Sequence, residues 1–146
     1  MSGKTVKTIA YTVVAVVIFS ATAVYFLWNK KHRDVAGTDG IKIEAGVLYK
    51  NFTADAVVAN KNYVQQVLQV AGTVSSISKN QQGNTVALLK TTADGAYINC
   101  TMEQAVVDVK QGTNVLIKGI CNGLGQGDAE LGILGDVYLV RCYLVK

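Results

Sequence analysis

From Ile9 to Trp28 no residue is charged, and this run limits what the chain can become more than any other feature. A helix of that length, rising ~1.5 Å per residue, extends about 30 Å, the hydrocarbon thickness of a bilayer. Tyr11 near one end and Tyr25, Phe26 and Trp28 at the other suit the interfacial level where amphipathic rings settle. The flanking lysines are long enough to reach headgroups. A cleaved secretory leader competes with a retained anchor, because Ala21-Thr22-Ala23 resembles a small-residue cleavage site. Cleavage there would leave Val24-Tyr25-Phe26-Leu27-Trp28 as a bare apolar N-terminus, so the anchor is the favoured reading. No cysteine precedes Cys100, which excludes lipid attachment at a processed N-terminus.

Charge is distributed around this run. Lys4, Lys7, Lys30, Lys31 and Arg33 place five cations and no anion before residue 34, and the remainder holds nine basic and ten acidic residues. Nucleic-acid binders gather cations on the folded surface to displace counterions from phosphate. The part after the run has no such excess, so nucleic acid is an unfavoured partner. By charge the orientation is nearly a tie, Lys4, Lys7 and the terminal amine against Lys30, Lys31 and Arg33, and a short basic tail before a first apolar helix more often stays in the cytoplasm. The expectation is therefore a single-pass protein of a bacterial inner membrane with its domain in the periplasm. Its parts are a basic tail over residues 1–8, a transmembrane helix over 9–28, a basic flank and linker over 29–43 and a folded domain over 44–146.

In the domain, Leu48, Phe52, Ala56, Ala59 and Tyr63 recur at steps of three and four, the stripe of one helix or of two short abutting ones. Leu68 to Val74 alternates apolar and polar, a half-buried strand in which Gly72 suggests a bend or bulge. Ser78 to Asn84 is a polar turn, Val86 to Leu89 a second strand, and Asp94-Gly95 turns into a third over Ala96 to Cys100. Thr101-Met102-Glu103-Gln104 has the spacing of a capping box and predicts a short helix closing near Gly112. Val115 to Cys121 and Val137 to Val145 complete five strands.

Helix, three strands, helix, two strands is the order of the OB-fold. Asn29-Lys30-Lys31-His32-Arg33-Asp34, Tyr63 before Val70-Ala71-Gly72-Thr73-Val74, Val115 to Gly123 (VLIKGICNG) and Asp136 to Cys142 (DVYLVRC) together resemble the small membrane-anchored OB-fold proteins of the tRNA anticodon-domain-like family. The resemblance covers nearly the whole chain. It implies a mainly β fold, namely a single N-terminal transmembrane helix followed by a five-stranded OB-type barrel. It brings no catalytic residues and no cofactor. The loop Gly125 to Gly135 is longer than the family pattern, and in OB-folds that loop borders the ligand face.

Cys100, Cys121 and Cys142 each fall on the inward phase of a strand, with Ile98 and Cys100 opposed to Tyr97 and Asn99, and Val140 and Cys142 opposed to Arg141. In an OB barrel the third and fifth strands are parallel neighbours, which brings Cys100 and Cys142 close. The readings are three small core thiols, a redox thiol, or one disulfide plus a spare, and the hypothesis is a Cys100–Cys142 bond with Cys121 reduced, favoured by export. A metal site is not expected, since no two cysteines have zinc-type spacing and the only histidine, His32, lies on the membrane flank. With one histidine, Ser-His and Cys-His catalysis within the domain are excluded. Gly123, Gly125 and Gly127 lack the strand-to-helix context of a phosphate loop and read as loop flexibility.

Asp128, Glu130 and Asp136 are candidates to collect around one loop, with solvated acids the plainer reading. Tyr97 and Tyr143, outward on neighbouring strands, would offer a stacking platform or are simply strand formers. The proposed binding face is Tyr97, Asn99 and Thr101 with the loops Lys79 to Asn84 and Gly123 to Gly135. The expected role is a membrane-tethered binding or assembly module without enzymatic activity, its partner an envelope protein or glycan. The alternatives are single-stranded nucleic-acid or oligosaccharide binding by analogy with other OB-folds, and an envelope hydrolase using the loop carboxylates.

Overall fold

The structure is a computed structural model that describes residues 16–25, 35, 37–104, 109–128 and 130–145. The chain divides into two units, Met1–Asp34 and Val35–Lys146. In the first, residues 16–25 are helical. Ser20 and Thr22 return their hydroxyls to the carbonyls of Val17 and Ile18, so neither hydroxyl is left as an open donor on an apolar helix. No helix among the described residues is long and apolar enough to cross a membrane. The span read over residues 9–28 runs past them on both sides, and the tail over 1–8 and the cationic flank with His32 lie outside the described residues.

The second unit runs β1 (Ile41–Glu44), α1 (Ala45–Ala54), α2 (Ala56–Tyr63), β2 (Val67–Lys79), β3 (Thr85–Lys90), β4 (Tyr97–Met102), β5 (Asn114–Leu124) and β6 (Val137–Val145). The apolar stripe belongs to two helices, and Asp55 is the reason. Its extended backbone breaks the first helix, while its carboxylate accepts the amides of Val57 and Val58 at 3.0 Å and caps the second. Asn51 Nδ2 donates to the Tyr63 hydroxyl across the joint at 3.0 Å, and Phe52 meets the Tyr63 ring at 6.0 Å between centroids. Leu48, Phe52 and Ala59 are buried against the sheet.

β2 is thirteen residues long and has three partners. Its first half pairs antiparallel with β5, from Val67↔Ile120 to Thr73↔Asn114. Its second half pairs antiparallel with β3, from Val74↔Leu89 to Lys79↔Thr85. β3 continues to β4, β4 lies parallel to β6, and β6 returns antiparallel to β5. The order β2-β3-β4-β6-β5 closes on β2, which is the five-stranded OB barrel with its third and fifth strands parallel.

The structure corrects four details. Ile41–Glu44, with residues 41–43 read as linker, is a strand parallel to β2, with Ile41 opposite Leu68 and Ile43 opposite Val70; four largely exposed residues give too short a pattern to recognise. Thr101 and Met102 finish β4 instead of capping a helix, and residues 105–108, where that helix was expected, are outside the described residues. The β2 irregularity falls between Val74 and Ser76, not at Gly72. Gly72 instead admits a close approach, since a Cβ there would stand 3.0 Å from that of Ala45 and 3.3 Å from that of Leu89.

The fourth correction concerns β6. Two residues, Arg141 and Cys142, oppose the single Gly119, because Lys118 pairs with Tyr143 and Ile120 with Val140. Arg141 takes φ 53°, the left-handed conformation of a bulge residue. The inward phase therefore shifts from Val137 and Leu139 to Cys142, and Val140 is not a fully inward position. All three cysteines are fully buried among Val70, Ile98, Ile117 and Leu139.

A Cβ on Gly119 would come within 2.5 Å of Cys142 Sγ and 3.2 Å of the Val140 carbonyl. Gly119→Ala is expected to cost about 1–3 kcal/mol through overpacking. A urea unfolding midpoint lowered at an unchanged slope is the measurement that checks it.

Candidate functional site

Along β4 the side chains alternate as expected: Ile98, Cys100 and Met102 are buried, while Tyr97, Asn99 and Thr101 are half-exposed on the outer face. Cross-strand register sets Lys90 beside Tyr97 and Leu88 beside Asn99. Tyr143 does not join them. The β4–β6 pairing aligns Ile98 with Val137 and Met102 with Cys142, so Tyr97 and Tyr143 stand about six residues, or about 20 Å, apart along the strands. Tyr143 faces Lys118, and the two tyrosines form no common platform.

Of the three acids, Asp128 and Asp136 are each tied to a different stretch of backbone. Asp128 accepts the amides of Glu130 and Leu131 at 3.0 and 3.2 Å. This Asx turn closes the small hairpin in which Asp128 and Ile133 exchange backbone hydrogen bonds of 2.8 Å. Asp136 accepts the Tyr97 amide at 2.9 Å, anchoring the start of β4. Burial raises the Tyr49 phenol above its ordinary range, and the negative Asp136 adds to the effect. No group of three metal-ligating side chains occurs among the described residues.

The glycine-rich loop is a built hairpin and not a flexible one. A Cβ on Gly125 would strike the Tyr138 ring, one on Gly127 the Ile133 carbonyl, and one on Gly135 the Gly125 carbonyl. These are close approaches, to a ring at Gly125 and to backbone at Gly127 and Gly135, that glycine permits. The hairpin presents Leu131, Ile133 and Leu134 exposed.

A polar concavity lies elsewhere. A cavity of about 550 Å³ is lined by Glu44 from the β1–α1 junction, Thr73 from β2, Lys90, Thr91 and Thr92 from the end of β3, and Asn114 from the start of β5. A second of about 300 Å³ shares Lys90 and Thr91 and continues past Ser75 and Gln111 to Asp94 and Tyr97. Thr73 Oγ1 donates to Asn114 Oδ1 at 2.6 Å. Thr91 Oγ1 donates to the Ala96 carbonyl at 2.8 Å and holds the β3–β4 turn. Of this trough, only Tyr97 was among the residues picked from sequence. The others come from separate segments whose local patterns signal only an outward position.

The three cysteines are free thiols, and the hypothesised Cys100–Cys142 bond is not formed in this structure. They are nevertheless neighbours: the hydrogen bond with Cys100, followed by burial, drives the Cys142 thiol well above its ordinary range. Burial pushes Cys121 up as well, with the Gly123 backbone pulling slightly the other way.

Residues 3–131 match the family model described as tRNA_anti-like. No curated protein matches the chain.

With thiol pKa values raised in the fold, the native state keeps protons that the unfolded chain releases above about pH 8.5. This contribution is complete below that pH and is lost as pH climbs towards the folded values. Stability measured by denaturant is expected to fall from about pH 8.5 upward, with a shallower fall in Cys142→Ala. Thiol counting should find no reactive group in the native protein and three after unfolding. A count of one would mean that Cys100 and Cys142 had joined.

Proposed function

The chain belongs to the tRNA_anti-like family, and from that premise we propose that it is a membrane-tethered OB-fold module that recognises a ligand at a bacterial envelope and carries out no catalysis. The observation that carries this reading is the contrast between the two sides of the barrel. Its interior is packed with apolar side chains and, among the described residues, holds no buried charged or polar one, while its outer surface carries an open polar trough. A filled small barrel has its chemistry on the outside.

Tethering is supported by the uncharged run from Ile9 to Trp28 between two basic flanks, and the family match extends through this run. The near-neutral remainder argues against nucleic acid, whose phosphates call for cations. The engagement of the Asp128 and Asp136 carboxylates by separate backbone amides argues against a carboxylate-based hydrolase, which needs a facing pair. The cytoplasmic placement of the short basic tail would put the barrel outside the inner membrane.

Full-length protein is expected in the membrane fraction and to resist carbonate extraction, and a reporter fused after Lys146 is expected to be active only in the periplasm. Recovery of a soluble chain lacking its first two dozen residues would overturn the tether. Crosslinking in intact cells followed by pull-down is expected to return an envelope component, and recovery of the protein alone would count against a recognition role.

A further inference from the structure

We propose that the trough between the β1–α1 junction and the β3–β4 turn binds a neutral, hydroxyl-rich ligand, a short stretch of oligosaccharide. This inference rests on the recognition role above and gives it a site and a ligand class. The trough borders the face that OB-folds commonly use, the outer side of barrel strands two and three, through Lys90 and Tyr97, but lies away from the loops after strands one and four that complete that face. Those loops are here residues 80–84 and 125–136, and neither contributes to the lining.

Four features select the chemistry. The first is the supply of neutral hydrogen-bonding groups. Ser75, Thr92 and Gln111 have side chains with no hydrogen-bond partner among the described residues, although they line the cavities. The Thr73 hydroxyl occupies Asn114 Oδ1, which leaves both donors of the Asn114 amide nitrogen for a ligand oxygen. The trough thus presents hydroxyls and amides, groups that donate and accept at once, the match for sugar hydroxyls.

The second feature is charge. Glu44, Asp94 and Lys90 are the charged residues of the two polar cavities and Lys42 joins them in the adjoining one, so the whole lining carries two acids against two cations. A phosphate chain finds no excess of cations there to offset the loss of its counterions. The third is an apolar surface for the C–H face of a sugar ring. Tyr97 stands at one end. At the other end a cavity of about 410 Å³, lined by Ile43, Val47 and Leu116, joins the trough at Glu44 and Ala71. The fourth is preorganisation. Ala45, Gly46, Ala71 and Gly72 line the cavity without long side chains, and a Cβ on Gly46 would reach 2.8 Å from Thr92 Cγ2. This packing of α1 on the β3 end holds the wall in place before a ligand arrives, so little ordering cost is left to binding.

The test is isothermal titration of the full-length protein, held in a detergent without a sugar headgroup, with neutral tetrasaccharides of glucose and of N-acetylglucosamine. Saturable binding is expected below about 1 mM for at least one of them, unchanged between low and high salt. Ala71 is exposed, so Ala71→Trp obstructs the trough without disturbing the core and is expected to weaken binding by about tenfold or more. Asn114→Ala should weaken it too, while Leu131→Ser, on the distant hairpin, should bind like the parent. Circular dichroism must show each variant folded. No saturable binding by any tetrasaccharide overturns the proposal, as does binding that survives in folded Ala71→Trp. Salt-sensitive displacement of the sugar by single-stranded oligothymidylate overturns it in favour of nucleic acid. Capture of a protein partner at the membrane without sugar binding would sink this inference and leave the recognition role standing, and sugar binding by a chain found soluble would do the reverse.

Discussion

Everything in the folded unit depends on β2 changing partners half-way along its length. Its first half is held between β1 and β5 and its second half by β3. The bulge at Ser75 makes the change possible, because an extra residue bends the strand and adds twist. Without it, β2 would remain flat and pair on through one neighbour, and the sheet would keep two open edges. With it, five strands close, and the residues facing inward have only each other to pack against.

Closure also accounts for the two tightest places in the interior. The bulge at Arg141 shifts the phase of β6 so that Cys142 turns inward, and Gly119 opposite leaves the volume that the sulfur fills. Three cysteines suit such a barrel because each is small, apolar enough to bury, and leaves no strong donor unpaired. Their raised thiol pKa values are a consequence of that packing, not a sign of reactivity. The helices act from outside: Asp55 breaks them into two short pieces, so Leu48, Phe52 and Ala59 can all reach the sheet.

A barrel this small has no room within it for a ligand, so function is left to what surrounds it. The short β1 strand and the start of α1 are additions to the five barrel strands. They raise a wall beside the outer face of β2, and the trough exists because that wall meets the end of β3 and the start of β5. Asp128 and Asp136, which looked like the chemical resource of the molecule, are spent on backbone amides that would otherwise go unpaired. The glycines of the long hairpin serve tight packing between two chain segments.

Much of the fold was legible in the linear chain because side chains in a strand point alternately in and out and those in a helix return every three or four residues. That local rule was enough to identify five strands, a helical stripe on Leu48 and Phe52, and inward positions for Cys100, Cys121 and Cys142. Register is a property of two strands at once, and no single strand carries it. The separation of Tyr97 from Tyr143, the strand at Ile41–Glu44 and the bulge that displaces Val140 were therefore decided only when the barrel closed. The trough is non-local to a greater degree still, since Glu44, Thr73, Thr91 and Asn114 approach one another only through that closure. The order and type of elements were written in the sequence by hydrophobic periodicity; the place where a ligand can rest was decided in three dimensions, by contacts between segments that share no local pattern.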